Sequence, residues 1–216
     1  MQSPPYRAVI FDYDGTLANT LPLIVASFNH LLSKRLGREY SEKEVAGFFG
    51  PPMRDIIRKL LPNDWRIASS EYYRYYGKNF RRFVRLHPGM RTLLQELYRQ
   101  QVGLAIFTGV EKVLAEINLW KLGLDRYFRT VVDADDVSRS KPSPEGLRLA
   151  LKRLQAQPRD SILIGDTVAD IRAAKSARMD IGVVTWGLQT RAKLMEYEPD
   201  FVLRTVEDIR RVVLRG

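Results

Sequence analysis

The chain contains no cysteine, which excludes disulfides, thiolate metal sites and cysteine nucleophiles. Histidine is scarce, with only His30 and His87, and this argues against a zinc centre. Long apolar runs are missing as well. The longest are about six residues, against the ~20 that a membrane-spanning helix needs. Met1 to Arg7 holds two prolines and runs straight into a short apolar stretch, without the cationic segment and long apolar core of a secretory leader. No membrane association is expected, and a cytoplasmic location is the default expectation. Internal repeats and low-complexity tracts are also lacking.

What is present is the composition of an ordinary globular protein, 45% hydrophobic and 28% charged over 216 residues. That length allows one large domain or a core with a smaller domain inserted. The net charge is +10. A positive field raises the local concentration and on-rate of anionic ligands, so a small phosphorylated metabolite is one implied partner and nucleic acid another. The lysines and arginines are dispersed over many predicted helices, with no basic run of five or more, which disfavours nucleic acid. A merely solvated basic surface accounts for the same charge.

Arg7 to Phe11 is an apolar run that ends in Asp and Gly, the pattern of a buried strand entering a loop. Similar runs at Val102–Phe107, Thr130–Val132, Ser161–Ile164 and Ile181–Val184 predict further strands, with a short edge at Phe201–Leu203. Helical stretches lie between them at Gly89–Arg99, Lys112–Lys121, Glu145–Gln155, Val168–Ala177 and Thr190–Tyr197. Strands alternating with helices of this length predict an α/β fold with a doubly wound parallel sheet. Residues 17–86 break the alternation. Leu23–Leu36, Met53–Leu61 and Ser69–Phe83 have helical periodicity, and Ser41 with Glu44 has the form of a capping box. This segment is expected to be an inserted helical domain, with residues 1–16 and 87–216 forming the core. Its aromatic stretch from Tyr72 to Tyr76, with Phe80 and Phe83, is expected to pack on one face and send the tyrosine hydroxyls to water. His30 is expected in helix packing or at the surface, and His87 in the turn before Pro88-Gly89.

Ligands of an open parallel sheet collect at the carboxyl ends of its strands. The residues that follow the predicted strands are Asp12 and Asp14, then Thr108-Gly109, then Gly165-Asp166 with Asp170, and Lys141 stands before a helix start. Crowded carboxylates raise one another's pKa unless a cation neutralises them. Magnesium suits that inventory, since it favours oxygen ligands and binds through one or two carboxylates together with water and substrate phosphate.

The run Asp12-Tyr13-Asp14-Gly15-Thr16-Leu17, with Thr108, Lys141 and Gly165-Asp166-Thr167-Val168-Ala169-Asp170 in that order, strongly resembles the haloacid dehalogenase-like hydrolase superfamily across the whole chain. The resemblance implies a Rossmann-like core and a magnesium-dependent phosphatase in which Asp12 attacks phosphorus and Asp14 serves as acid and then base. It implies that Thr108 and the Gly109 amide hold a phosphoryl oxygen and that Lys141 neutralises charge. Magnesium would be held by Asp12, Asp166 and the backbone carbonyl of Asp14, with Asp170 orienting metal-bound water or Lys141. The inserted helices would form a cap whose loop Phe49-Gly50-Pro51-Pro52-Met53-Arg54 faces the substrate, Arg54 clasping a second anionic group. Within the superfamily, Asn19-Thr20 and the Gly-Pro-Pro loop resemble phosphoglycolate phosphatases and the related pyrophosphatase and nucleotidase branches. A sugar phosphomutase and a non-catalytic protein binding nucleic acid or an acidic partner are the competing readings. Dehalogenation is disfavoured because a departing halide needs no acid such as Asp14. The oligomeric state has no reading in the sequence.

Overall fold

Residues 5–215 are described by the structure, a computed structural model; the expected outer limits of the core, residues 1–4 and 216, lie outside the described residues. The first strand, β1 (Ala8–Phe11), is buried on both sides. Its residues alternate, Val9 and Phe11 entering one apolar cluster and Ala8 and Ile10 the other, as the two-residue period of a strand requires. The chain then forms β2 (Ala18–Asn19), the helices α1 (Leu21–Leu36), α2 (Glu42–Ala46), α3 (Met53–Leu60) and α4 (Trp65–Phe83), and the returning strand β3 (Arg85–Leu86). Strict alternation follows: α5 (Met90–Arg99), β4 (Gly103–Phe107), α6 (Lys112–Leu122), β5 (Thr130–Val132), α7 (Glu145–Leu154), β6 (Ser161–Gly165), α8 (Val168–Ala177), β7 (Asp180–Val184), α9 (Arg191–Met195), β8 (Phe201–Leu203) and α10 (Val206–Arg215).

Six strands make one sheet in the order β5-β4-β1-β6-β7-β8, every pair parallel. The central strand β1 has β4 and β6 on its flanks, so the loops after these three strands converge at one edge, where ligands gather in such sheets. Helices α5, α6 and α10 contribute to the cluster on one face and α7 and α8 to that on the other. Among the described residues no helix is long and apolar enough to cross a membrane.

The four helices between β2 and β3 share the apolar cluster of the α5/α6 face, so one continuous core runs from Val9 and Phe11 through Tyr13, Leu17 and Tyr76 to Phe28 and Tyr72. The aromatic face of α4 lies within it, but two expected details change. Tyr76 is buried and donates its hydroxyl to Asn118 Oδ1 at 2.8 Å, and the Tyr72 hydroxyl is buried without a partner among the described residues. The rings reach too far into the seam for their hydroxyls to meet water. His30 stacks on Tyr75 with ring centroids 4.0 Å apart.

Several boundaries differ from the sequence expectation. The pairing of Ala18 with Leu86 and of Asn19 with Arg85 forms a two-residue antiparallel ribbon, too short to have a periodicity. Helix α9 stops at Met195, short of Tyr197, because the chain turns there and Glu198 takes a positive φ of 48°. Helix α10 was not expected; Thr205 and Asp208 cap it, the Thr205 N–H donating to Asp208 Oδ2 at 2.9 Å and the Asp208 N–H to Thr205 Oγ1 at 3.2 Å.

Candidate active site

The loops after β1, β4 and β6 and the segment before α7 enclose a cavity of about 330 Å³. Asp12, Asp14, Thr108, Gly109 and Lys141 all line it. Asp12 follows β1 without a break, its N–H donating to Ile164 O at 2.8 Å. The chain then turns through Gly15, whose φ is +83° and where a Cβ would lie 2.4 Å from Asp166 Oδ2. Only glycine fits there, since both the backbone conformation and the approach of Asp166 exclude a side chain.

Lys141 is the hinge of the charge arrangement. Its Nζ lies 2.7 Å from Asp12 Oδ1 and 2.7 Å from Asp170 Oδ1, and 4.6 Å from the centre of the Phe107 ring. Burial pulls the ammonium's pKa down, but the charges of Asp12 and Asp170 outweigh it and hold the group above its ordinary value. Lys141 is therefore a fixed cation at neutral pH. Asp170 is fully buried and divides its oxygens: Oδ2 accepts from the Thr167 hydroxyl at 2.6 Å and the Thr167 N–H at 3.1 Å, closing a capping box on α8, while Oδ1 meets Lys141. Of the two roles expected for Asp170, its contact is with Lys141.

Asp166 is also fully buried. Its Oδ1 accepts from the Thr16 hydroxyl at 3.0 Å and its Oδ2 from the Leu188 N–H at 2.7 Å. Burial, and next the charge of Asp170, push its pKa up to about 6. Burial likewise raises Asp12 well above the usual carboxylate range, against the pull of Lys141. Oxygens of Asp12, Asp166 and Asp170 lie within 4.8 Å of one another. With Asp14 alongside, four carboxylates meet a single ammonium. The all-oxygen, acid-rich donor set fits a hard divalent cation, which would relieve the repulsion that burial intensifies.

Asp14 accepts from the Thr20 hydroxyl at 2.5 Å. Burial raises its pKa, while the Thr20 contact and Lys141 oppose the rise. Thr108 is buried and held by its N–H to Val132 O at 3.0 Å.

Arg54 is not brought to this group. Its guanidinium pairs with Asp135, in a separate cleft lined also by Trp65, Ser69, Glu111 and Lys112. The expected clasp on substrate is replaced in this structure by a bridge between the helical insertion and the core. The reason lies across the seam, in a residue that sequence reasoning passed over. Glu111, buried just before α6, accepts from the Met53 N–H at 3.0 Å, the Arg54 N–H at 3.1 Å and the Tyr73 hydroxyl at 2.5 Å. It caps α3 from across the seam and turns the Arg54 side chain toward Asp135. A Glu ahead of an apolar-periodic helix signals a helix start, but nothing local names so distant a partner. Thr16 and Thr20 were read only as parts of motifs, with no contact assigned to either, and the loop at Leu188 was passed over.

A sheet edge that gathers three buried acids and the half-buried Asp14 around one immobile ammonium is suited to an anionic substrate brought together with a cation. Comparison with known proteins is more specific: residues 9–184 match the family model of the haloacid dehalogenase-like hydrolases, and the chain belongs to that family. A relative named pyrophosphatase PpaX, from Bacillus cereus, is 34% identical over 203 residues, 94% of either chain. Among solved structures, a predicted phosphoglycolate phosphatase from Haemophilus somnus superposes with a TM-score of 0.85 at 24% identity, covering 96% of this chain and 98% of that one, a likeness of fold. CbbY from Rhodobacter sphaeroides, solved in complex with phosphate, gives 0.81 at 25% identity, covering 93% and 94%.

Proposed function

We propose that the protein is a magnesium-dependent phosphatase that hydrolyses a small phosphomonoester, passing the phosphoryl group through Asp12. The observation that carries this reading is Asp12 itself. It lines the cavity with one oxygen fixed on Lys141 and lies within the carboxylate cluster, while its other oxygen has no hydrogen bond among the described residues. That oxygen attacks phosphorus, forming an aspartyl-phosphate as the ester P–O bond breaks, and one difficult hydrolysis becomes two transfers. Asp14 gives its proton to the departing oxygen, a role supported by the upward shift that burial imposes on its carboxyl. Asp14 then takes a proton from water, the water oxygen attacks phosphorus, and the P–O bond to Asp12 breaks to release inorganic phosphate.

Lys141 stays protonated throughout and balances negative charge on the phosphoryl oxygens and on Asp12. The Thr108 hydroxyl and the Gly109 amide hold a phosphoryl oxygen. Asp12, Asp166 and the backbone carbonyl of Asp14 would hold magnesium, which supplies further neutralisation of the transferring group. Asp170 positions Lys141. Helices α1–α4, residues 17–86, act as the cap that excludes water.

Phosphoglycolate follows from the subgroup resemblance, and pyrophosphate is a second reading favoured by the name of the Bacillus cereus relative. Phosphate release is to be followed over phosphoglycolate, pyrophosphate, nucleoside monophosphates, sugar phosphates and simple alkyl phosphates, with magnesium or with chelator. Release from a monoester that needs magnesium and vanishes in Asp12→Asn is the expected result. Activity surviving Asp12→Asn overturns the mechanism.

A further inference from the structure

The turn that follows β1 carries Asp14, and the chain closes its inner side by itself. Tyr13 O accepts from the N–H groups of Thr16, Leu17 and Ala18 at 3.3, 3.0 and 3.3 Å, and the Gly15 N–H donates to Ala18 O at 2.9 Å. The carbonyls of residues 15–17 are instead met from outside the turn. That of Leu17 accepts from the His87 N–H at 3.1 Å, and that of Thr16 from Trp186 Nε1 at 3.3 Å. The Gly15 carbonyl meets the His87 ring: burial lowers the pKa of the imidazole, and this contact opposes the fall.

Two residues far apart in the chain thus hold three successive carbonyls. His87 stands where the insertion returns to the core, directly after β3, and Trp186 follows β7 by two residues. Their ring centroids lie 5.3 Å apart, so each grip braces the other. Neither residue is among those that line the cavity. Asp12 does not depend on them, because its N–H is fixed to Ile164 O of β6 and its carboxyl to Lys141. Asp14 lies beyond the end of the sheet strand. Its carboxyl is held by the hydroxyl of Thr20, which itself comes after the turn, so the place of this acid follows the place of residues 15–17. A carbonyl that loses its donor here must shift to find another.

We infer that His87 and Trp186 are positioning residues for Asp14, holding the turn at residues 15–17 so that the Asp14 carboxyl reaches the departing oxygen. The inference rests on the acid role proposed for Asp14. It gives the exit of the insertion a part in the chemistry, through a residue that does not touch substrate.

An acid matters most when the leaving group is poor. An alkoxide needs a proton on departure, whereas p-nitrophenolate leaves without one. n-Propyl phosphate and p-nitrophenyl phosphate therefore form the matched pair, compared through kcat/KM, which reports the steps up to formation of the aspartyl-phosphate. With magnesium, His87→Ala should lower kcat/KM for n-propyl phosphate roughly tenfold or more and leave that for p-nitrophenyl phosphate within about threefold. His87→Asn, whose amide can still donate to the Gly15 carbonyl, should recover most of the loss. Trp186→Phe keeps a ring and removes the N–H; it should repeat the pattern at smaller size, and it replaces His87→Ala should that variant fail to fold. An equal loss for both esters, or none for either, in a folded variant overturns the inference. Amide hydrogen exchange is the second readout. Residues 13–18 should exchange faster in each variant than in wild type while Ala8–Phe11 stays unchanged, and exchange that does not move also overturns the inference. If wild type hydrolyses neither ester, the phosphatase reading fails, and exchange alone decides whether His87 and Trp186 hold the turn.

Discussion

Lys141 and Arg54 are both cations paired with acids, but the places they occupy differ. Side-chain exposure is 10% for Lys141, 10% for Asp12 and zero for Asp170, while Arg54 and Asp135 are exposed to 37% and 35%. A buried pair is expensive to break because the surviving charge has no water to turn to. A half-exposed pair opens at little cost, since solvent replaces the partner. The floor of the cavity is therefore rigid in its charges, whereas the outer ion pair of the seam can part at little cost.

The sharpest way to separate the two regions is to remove charge from each. Asp12→Asn should fold, as judged by circular dichroism, and lose roughly 10³-fold or more in kcat. Lys141→Ala should lower kcat about 10²- to 10³-fold. It should also lower unfolding free energy in urea by about 3 kcal/mol without magnesium, because Asp12 and Asp170 are left facing each other. Glu111→Ala strands two amides and a tyrosine hydroxyl at the seam and should cost about 2 kcal/mol in the same measurement.

A pH comparison tests the floor from another side. Asp166 is raised from its ordinary value to about 6, so the folded protein favours its protonated form. Its stabilising effect is complete below the unfolded pKa near 3.8 and is lost as pH rises through about 6. Without metal, the melting temperature of wild type relative to Asp166→Asn should fall between pH 4.5 and 7, and added magnesium should shrink that fall. A relative change in the opposite direction would remove Asp166 from the strained cluster. The smallest effect belongs to Arg54→Ala, which should cost at most about 1 kcal/mol and leave kcat/KM within about threefold. A much larger loss would return Arg54 to the substrate.

The halves of the molecule also differ in how much their sequences disclose. Thr130–Val132 and Val168–Ala177 are bounded in the structure as the sequence predicts, the first a half-buried strand of the sheet and the second a helix with its own caps. Asp12, Asp14, Thr108 and Lys141 were legible because each stands within a few residues of a strand or helix end, where order along the chain maps onto the sheet edge. The seam has no such map. Glu111 meets Met53 and Arg54 across 58 and 57 residues, Tyr76 meets Asn118 across 42, and the ribbon rests on strands of two residues. Helix α10 was a different kind of omission, since its Thr205 and Asp208 are a local signal left unread.

The β2–β3 ribbon makes the insertion a cassette. Its two ends enter and leave side by side at Ala18 and Leu86, four residues after Asp14 and on the far side of Gly15, while Thr108, Lys141, Asp166 and Asp170 all follow it in the chain. A different helical bundle spliced between those two points would leave the floor intact provided that a hydroxyl still reached Asp14 from the position of Thr20 and that the new helices still covered Tyr13 and met Glu111 and Asn118 across the seam. The floor and the helices above it can in that way diverge separately over evolutionary time.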